Sequence, residues 1–261
     1  MTTNRHYSSA LPTLTELTTE TQTTPSPPVP RVPTLSTVLA KMKAIPEQAL
    51  FLGVASDGLP VLLNLYDPHP GPMLISGDAG AGKTAFLKTL AQALSQTHSA
   101  SDIQFGVITN YPDEWEATEA IAHRTGVFPV GHRSAAEFIN SLAKWAHSNK
   151  HTDQCVLLLV DDLESVASLD PESVHNFRWL LLRGPARRVW PIVTLNAPRY
   201  GQVISWLQTF RTRIYGRIVN PRVAEALGAD KLSAFDQLEA GIQFSLRERD
   251  KWLRFWLPGL S

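Results

Sequence analysis

Gly77-Asp78-Ala79-Gly80-Ala81-Gly82-Lys83-Thr84 stands between a short apolar stretch, residues 72–76, and a segment with helical spacing, residues 83–95. The apolar stretch reads as a strand. In the segment after the loop, Phe86, Leu87, Leu90, Ala93 and Leu94 recur on one side, as an amphipathic helix requires. A polyphosphate needs many donors close together. Gly77, Gly80, Ala81 and Gly82 let the backbone curl until successive N–H groups point inward. The loop then delivers the chain to a helix N-terminus, whose unpaired N–H groups and dipole favour anions. Asp78 and Ala79 complete the loop. Lys83 is expected to reach the β- and γ-phosphates of ATP, and Thr84 to ligate Mg²⁺. In this strand–loop–helix setting the eight residues form a complete Walker A sequence, and an ATP-binding α/β domain is the expectation.

Working outward, Val156-Leu157-Leu158-Leu159-Val160-Asp161-Asp162 is a buried strand ending in two carboxylates, as a Walker B segment does. Asp161 is expected to hold Mg²⁺ through water, and Asp162 to orient or deprotonate the attacking water. Many related ATPases place Glu where Asp162 stands. The missing methylene leaves the carboxylate about 1 Å short, a displacement that can cost ~100-fold in rate. Glu164, two residues on, is expected to point elsewhere. The next strand ends Ile192-Val193-Thr194-Leu195-Asn196. Ends of neighbouring strands converge on the ligand crevice, so Thr194 or Asn196 can offer a polar group to the γ-phosphate or the water.

The rest of the chain supports one α/β domain. Residues 1–35 are rich in Thr, Ser and Pro, bury little apolar surface and read as a disordered tail. Residues 36–261 form the expected domain. It opens with a helix at 35–43 and a strand pair, 49–55 and 60–65. Strands at 72–76, 103–109, 156–160, 189–195 and 214–218 come next. Helices are expected at 83–95, 135–147, 171–182, 199–210 and 221–227, and a hairpin, 242–246 with 252–257, closes the chain. This alternation predicts a mostly parallel, helix-flanked sheet with a small N-terminal strand pair and a C-terminal hairpin. The charge is balanced, 24 basic against 24 acidic residues, and names no partner. The single cysteine, Cys155, excludes an internal disulfide and reads as a small buried hydrophobe. No stretch has signal-peptide character or approaches the ~20 apolar residues of a membrane span, so a soluble, cytoplasmic protein is expected.

One local asymmetry stands out. Eight arginines, 183, 187, 188, 199, 211, 213, 217 and 222, lie in an interval without Lys, Asp or Glu. They suit arginine fingers reaching a neighbouring subunit's ATP, contacts to DNA phosphates, or a solvated surface.

Taken in order, these features resemble the FtsK/SpoIIIE branch of the FtsK–HerA ATPases, a RecA/FtsK-like P-loop NTPase architecture. The resemblance runs over residues 45–257. It rests on the strand pair, the Pro-containing lead-in to the loop, the acidic strand and a helix bearing Arg187-Arg188. Beyond them, Thr194-Leu195-Asn196-Ala197-Pro198 is similar to a Thr-Gln-Arg-Pro run, Thr212-Arg213-Ile214 to a Ser/Thr-Arg-Ile segment, and Leu227-Gly228-Ala229-Asp230-Lys231-Leu232 to a Gly-Ala-Glu-Lys-Leu segment. Asp162 and Asn196 depart from the family's Glu and Gln, and Asn110-Tyr111-Pro112-Asp113 replaces its Asp-Pro-Lys. The transmembrane part and the DNA-reading winged helix of full-length translocases have no counterpart in this sequence. The Asp-Asp ending also resembles ATPase modules of type VII secretion motors.

The resemblance implies a homo-oligomeric ring motor acting on double-stranded DNA, with Arg213, and after it Arg222, completing the next subunit's site. The alternative is a nucleotide-gated scaffold or secretion-type module that binds ATP and turns it over poorly. The shortness of Asp162 and the small size of the chain favour this second reading.

Overall fold

The computed structural model describes residues 32–42, 45–149, 153–248 and 251–260. In chain order it contains α1 (Leu35–Lys41), β1 (Ala49–Ala55), β2 (Pro60–Asn64), β3 (Met73–Gly77), α2 (Lys83–Thr97), β4 (Ile103–Thr109), β5 (Arg124–Pro129) and α3 (Arg133–Ser148). It continues with β6 (Cys155–Asp161), α4 (Leu163–Ala167), α5 (Pro171–Arg183), β7 (Val189–Asn196), α6 (Ile204–Leu207), β8 (Thr212–Tyr215), α7 (Pro221–Ala226), β9 (Gln243–Glu248) and β10 (Lys251–Trp256).

The apolar run of β6 shows why the domain has three layers. Side chains alternate across a strand, so a run that is apolar throughout must be covered on both faces. Cys155, Leu157 and Leu159 pack with Phe86, Leu87, Leu90 and Leu94 of α2. Val156, Leu158 and Val160 pack with Ile139 and Leu142 of α3 and Phe177 and Leu180 of α5. Each fully buried side chain of this size contributes about 1.5–3 kcal/mol. Burial pushes the Cys155 thiol up to about 12, so it stays neutral, as a small hydrophobe should.

The ten strands among the described residues join one sheet, in the order β2-β1-β10-β9-β8-β3-β7-β6-β4-β5. The run from β8 to β5 is parallel. The expected strand pair and hairpin do form, but they are not separate additions. The hairpin β9–β10 pairs antiparallel with β8 through β9 and with β1 through β10, and so splices the strand pair onto the main sheet.

Three expectations need correction. The stretch 199–210 is not one α-helix. Pro198 and Gly201 break the α pattern, so Ala197–Val203 is a 3₁₀ segment and only Ile204–Leu207 is α-helical. Strand β5, at the edge beyond β4, is an addition to the expected set. The tail does not extend to residue 35. Thr34 caps α1 by accepting from the Thr37 N–H, and Leu35 and Pro33 exchange backbone hydrogen bonds with Gly259. Residues 1–31 of the expected tail lie outside the described residues.

Trp190 on β7 is fully buried, and its indole N–H donates to the Leu65 carbonyl at 3.1 Å, tying the sheet centre to the end of the strand pair. Trp190→Ala is expected to lower unfolding free energy by about 3–5 kcal/mol. Ile204→Ala, at a side chain that is 64% exposed, should change it by less than about 0.5 kcal/mol. Urea denaturation of both variants checks the contrast.

Candidate functional site

Parallel strands point their C-terminal ends the same way, and here those ends carry the polar residues. Gly77 on β3 lies in register with Asn196 on β7, and Thr109 on β4 with Asp161 on β6. The glycine loop leaves β3 on this edge and leads into α2. Gly82 caps α2 in the left-handed region, φ +89°, and a Cβ on it would come within 2.7 Å of Gly241 Cα. Only glycine meets both conditions. Ala79 and Gly80 are exposed at the loop's crest, whereas Ala81 is buried beneath it.

The loop is anchored from outside. Asp78 donates its N–H to the Arg217 carbonyl at 2.9 Å and accepts the Val219 N–H on its carboxylate at 2.8 Å. Inside, Lys83 Nζ donates to the carbonyls of Gly77 (3.1 Å) and Asp78 (2.9 Å), so its ammonium lies within the curl of the loop. Burial lowers the Lys83 pKa, opposed by the charges of Asp162, Asp161, Asp78 and Glu164. The ammonium is thus partly buried, is held by main-chain carbonyls, and feels the carboxylates through charge at longer range.

Opposite the lysine, Asp161 receives two hydroxyl donors, Thr84 Oγ1 at 2.8 Å and Thr194 Oγ1 at 2.9 Å. Thr194 Oγ1 in turn accepts the Asp162 N–H at 2.8 Å. Thr194 is therefore an internal brace of the acidic strand end, not a group offered to a phosphate. Thr84 and Asp161 suit Mg²⁺, a hard cation that takes one or two protein oxygens and completes its shell from water and substrate phosphates. Among the described residues no group of three or more acidic, His or Cys side chains forms a self-sufficient metal cage, and such a cage is not what Mg²⁺ with a nucleotide requires.

Asp162 sits at the turn from β6 into α4 with φ +86°, an uncommon conformation for a residue with a Cβ. Burial raises its pKa, reinforced by neighbouring Asp161 and opposed by Lys83 and Arg199. Glu164 does not point away as expected. Its side chain is only 9% exposed, its charge acts on Lys83 and Asp162, and Arg199 Nη1 lies 3.6 Å from Oε1. Burial raises the Glu164 pKa and Asp162 adds to the rise, while its own backbone N–H, Arg199 and Lys83 oppose it. Counting two residues along a strand hides this, because the chain has already turned at Asp162.

The structure gives the arginine cluster mixed roles. Arg213 is in register with Leu74, three residues before the loop begins. At ~3.3 Å per residue that is roughly 10 Å from Gly77. Its guanidinium donates to the carbonyls of Leu207 (2.7 Å), Phe210 (3.3 Å) and Leu227 (3.4 Å). This alters the order of the two candidate fingers: Arg213 staples its own fold, while Arg222 is exposed on the first turn of α7. Arg188 stacks over Tyr66 at 3.7 Å, and Arg211 donates to the His69 carbonyl. Arg217, exposed just after β8 and next to Asp78, gains an importance that its membership of the cluster does not announce, although its place after a strand beside β3 is a usable signal.

No family model and no curated protein matches the sequence. Solved structures do. The cytoplasmic domain of the Thermomonospora curvata type VII secretion ATPase EccC aligns with TM-score 0.68 at 15% identity, over 88% of this chain and 28% of that one. ATPases 2 and 3 of EssC from Geobacillus thermodenitrificans align with TM-score 0.68 at 12% identity, over 89% and 48%. The pCW3 conjugation coupling protein TcpA, in its monomer form with ATPγS, aligns with TM-score 0.63 at 14% identity, over 87% and 70%. The chain thus spans less than half the length of the EccC and EssC chains it resembles. The likeness is one of fold: a mostly parallel, helix-flanked sheet shared with these ATPase domains.

Proposed function

We propose that this chain binds Mg·ATP and is an FtsK-like ATPase of the FtsK/SpoIIIE branch, working as one subunit of a ring that acts on double-stranded DNA. The observation that carries the ATP reading is the pairing of Thr84 with Asp161 at 2.8 Å, beside a loop that encloses Lys83 Nζ. The loop's N–H groups and Lys83 would hold the β- and γ-phosphates. Thr84 and Asp161 would hold Mg²⁺, which when bound neutralises charge on the phosphates. Asp162 would orient water. Asn196, across from Gly77, would present its amide to the γ-phosphate or the water. The segment at Gly241 and the exposed Arg217 border the loop on the side away from Asp161 and frame the rest of the nucleotide.

The ring reading rests on an arginine reaching the site from a neighbouring subunit. Phosphoryl transfer is accelerated mainly by charges placed around the moving phosphoryl group, and a finger supplied in trans is worth 10³–10⁵ in rate. Arg222, exposed on the first turn of α7, would be that finger. The exposed Arg183 is available to a phosphate backbone. A second reading, the nucleotide-gated scaffold, is favoured by the short Asp162 side chain on its unusual backbone turn. ATPase assays with and without double-stranded DNA separate the two. DNA-stimulated turnover supports the motor, and slow, DNA-insensitive turnover supports the scaffold.

Among the described residues no helix is long and apolar enough to cross a membrane.

Lys83→Ala is expected to weaken binding of a fluorescent ATP analogue by about 100-fold, the loss of a strong charge-assisted contact, with the thermal midpoint unchanged. Unaltered affinity would remove Lys83 from the site. Specific ATPase activity is further expected to rise with protein concentration. Arg222→Ala should cut turnover at high concentration by ~10³ without weakening ATP binding. Activity proportional to concentration throughout, with a monomer in sedimentation, contradicts the ring.

A further inference from the structure

Among the described residues, the buried oxygen atoms without a hydrogen-bond partner include both carboxylate oxygens of Glu164 and Oδ1 of Asn196. Glu164 is the more demanding case. Its side chain is 9% exposed and neither oxygen has a well-aligned hydrogen-bond donor beyond the pull of its own backbone N–H, an arrangement that is costly unless something else supplies one. Arg199 is its nearest cation, but 3.6 Å is beyond hydrogen-bonding distance and that side chain is itself 54% exposed. The pair is an electrostatic contact that leaves both oxygens able to accept.

The chemistry of the missing partner is constrained. An ionised carboxylate only accepts, so the partner must donate. That excludes a phosphate oxygen and points to water, which is small and brings two hydrogens. The location is constrained too. Glu164 lies in the first turn of α4, two residues after Asp162, and α4 packs on β7 and on the segment that carries Arg199. Its charge acts on Lys83, the residue expected at the γ-phosphate. Its side chain is one methylene longer than that of Asp162.

We propose that Glu164 is the carboxylate that accepts the proton of the water attacking the γ-phosphate, with Arg199 as its positioning residue. This rests on the ATP reading above. The water oxygen forms a bond to the γ-phosphorus while the bond from that phosphorus to the β–γ bridging oxygen breaks. The bridging oxygen keeps the electron pair and leaves on ADP. The water proton passes to Glu164, which later returns it to solvent, and phosphate departs. Asp162 then orients the water, and the Glu missing from position 162 is replaced from the next turn of the chain.

The test is single-turnover hydrolysis of radiolabelled ATP by the full chain, with ATP-analogue affinity and thermal midpoint measured in parallel. Glu164→Gln keeps the shape and removes the proton acceptor. It should lower turnover by about 100-fold or more, leave analogue affinity within about two-fold, and not lower the midpoint, since the partner it releases, Arg199, is 54% exposed and stays solvated. Glu164→Asp should fold normally and fall about 10-fold, the cost of a shortened reach; it decides the matter if the glutamine variant is unstable. Turnover close to wild type in either folded variant overturns the proposal. So does a wild-type chain that binds the analogue yet hydrolyses no faster than Lys83→Ala. A wild-type chain that does not bind the analogue instead fails the ATP reading itself.

Discussion

The Asp161 carboxylate, buried and bridged by the hydroxyls of Thr84 and Thr194, is the constraint on which the rest of the site depends. A charge placed there must be satisfied or the strand end cannot stay buried. Hydrogen bonds to a charged group contribute about 1.5–3 kcal/mol each. These two join three elements that are distant in sequence: the first turn of α2, the end of β6 and the end of β7. Because Thr194 also takes the Asp162 N–H, the same brace sets where the chain leaves the sheet and turns into α4. The first turn of α2 and the strand end that carries both aspartates are thereby fixed to one another before any ligand arrives, which is the preorganisation that phosphate chemistry rewards.

The local chemistry of the site is legible in the sequence, and much of its three-dimensional meaning is not. The glycine loop, Lys83, Thr84 and the apolar run ending at Asp161 announce themselves because each needs a particular residue type at a fixed offset. Glu164 escapes such a reading because a two-residue offset implies strand geometry, whereas Asp162 at φ +86° ends the strand and turns the chain in a new direction. Thr194 looks like a ligand for phosphate when only its own strand is considered. Its partner, Asp161, belongs to a strand that only the tertiary pairing brings alongside.

The same distinction explains the fold. Strands β4, β6 and β7 are strongly apolar and readable, since both faces are covered. Strand β5 is an edge strand, contains Gly126, ends in Pro129 and is only partly buried, so it carries little pattern. The splice of β10 onto β1 is a pairing choice between distant segments, which no local signal encodes. In the arginine-rich interval the sequence shows an excess of charge. The structure divides it into residues that donate to carbonyls, stack on an aromatic ring or pair with Glu164, and others, Arg217 and Arg222 among them, whose side chains are exposed.

Calorimetric titration of the full chain with ATP, in the presence and absence of Mg²⁺, tests most directly whether this brace and loop form a nucleotide site. The account predicts one site per chain with micromolar-range affinity, ~−8 kcal/mol, and a clear loss of affinity when Mg²⁺ is withheld, because Thr84 and Asp161 then face the phosphates without a cation between them. Absence of binding at millimolar ATP, or binding indifferent to Mg²⁺, would contradict it.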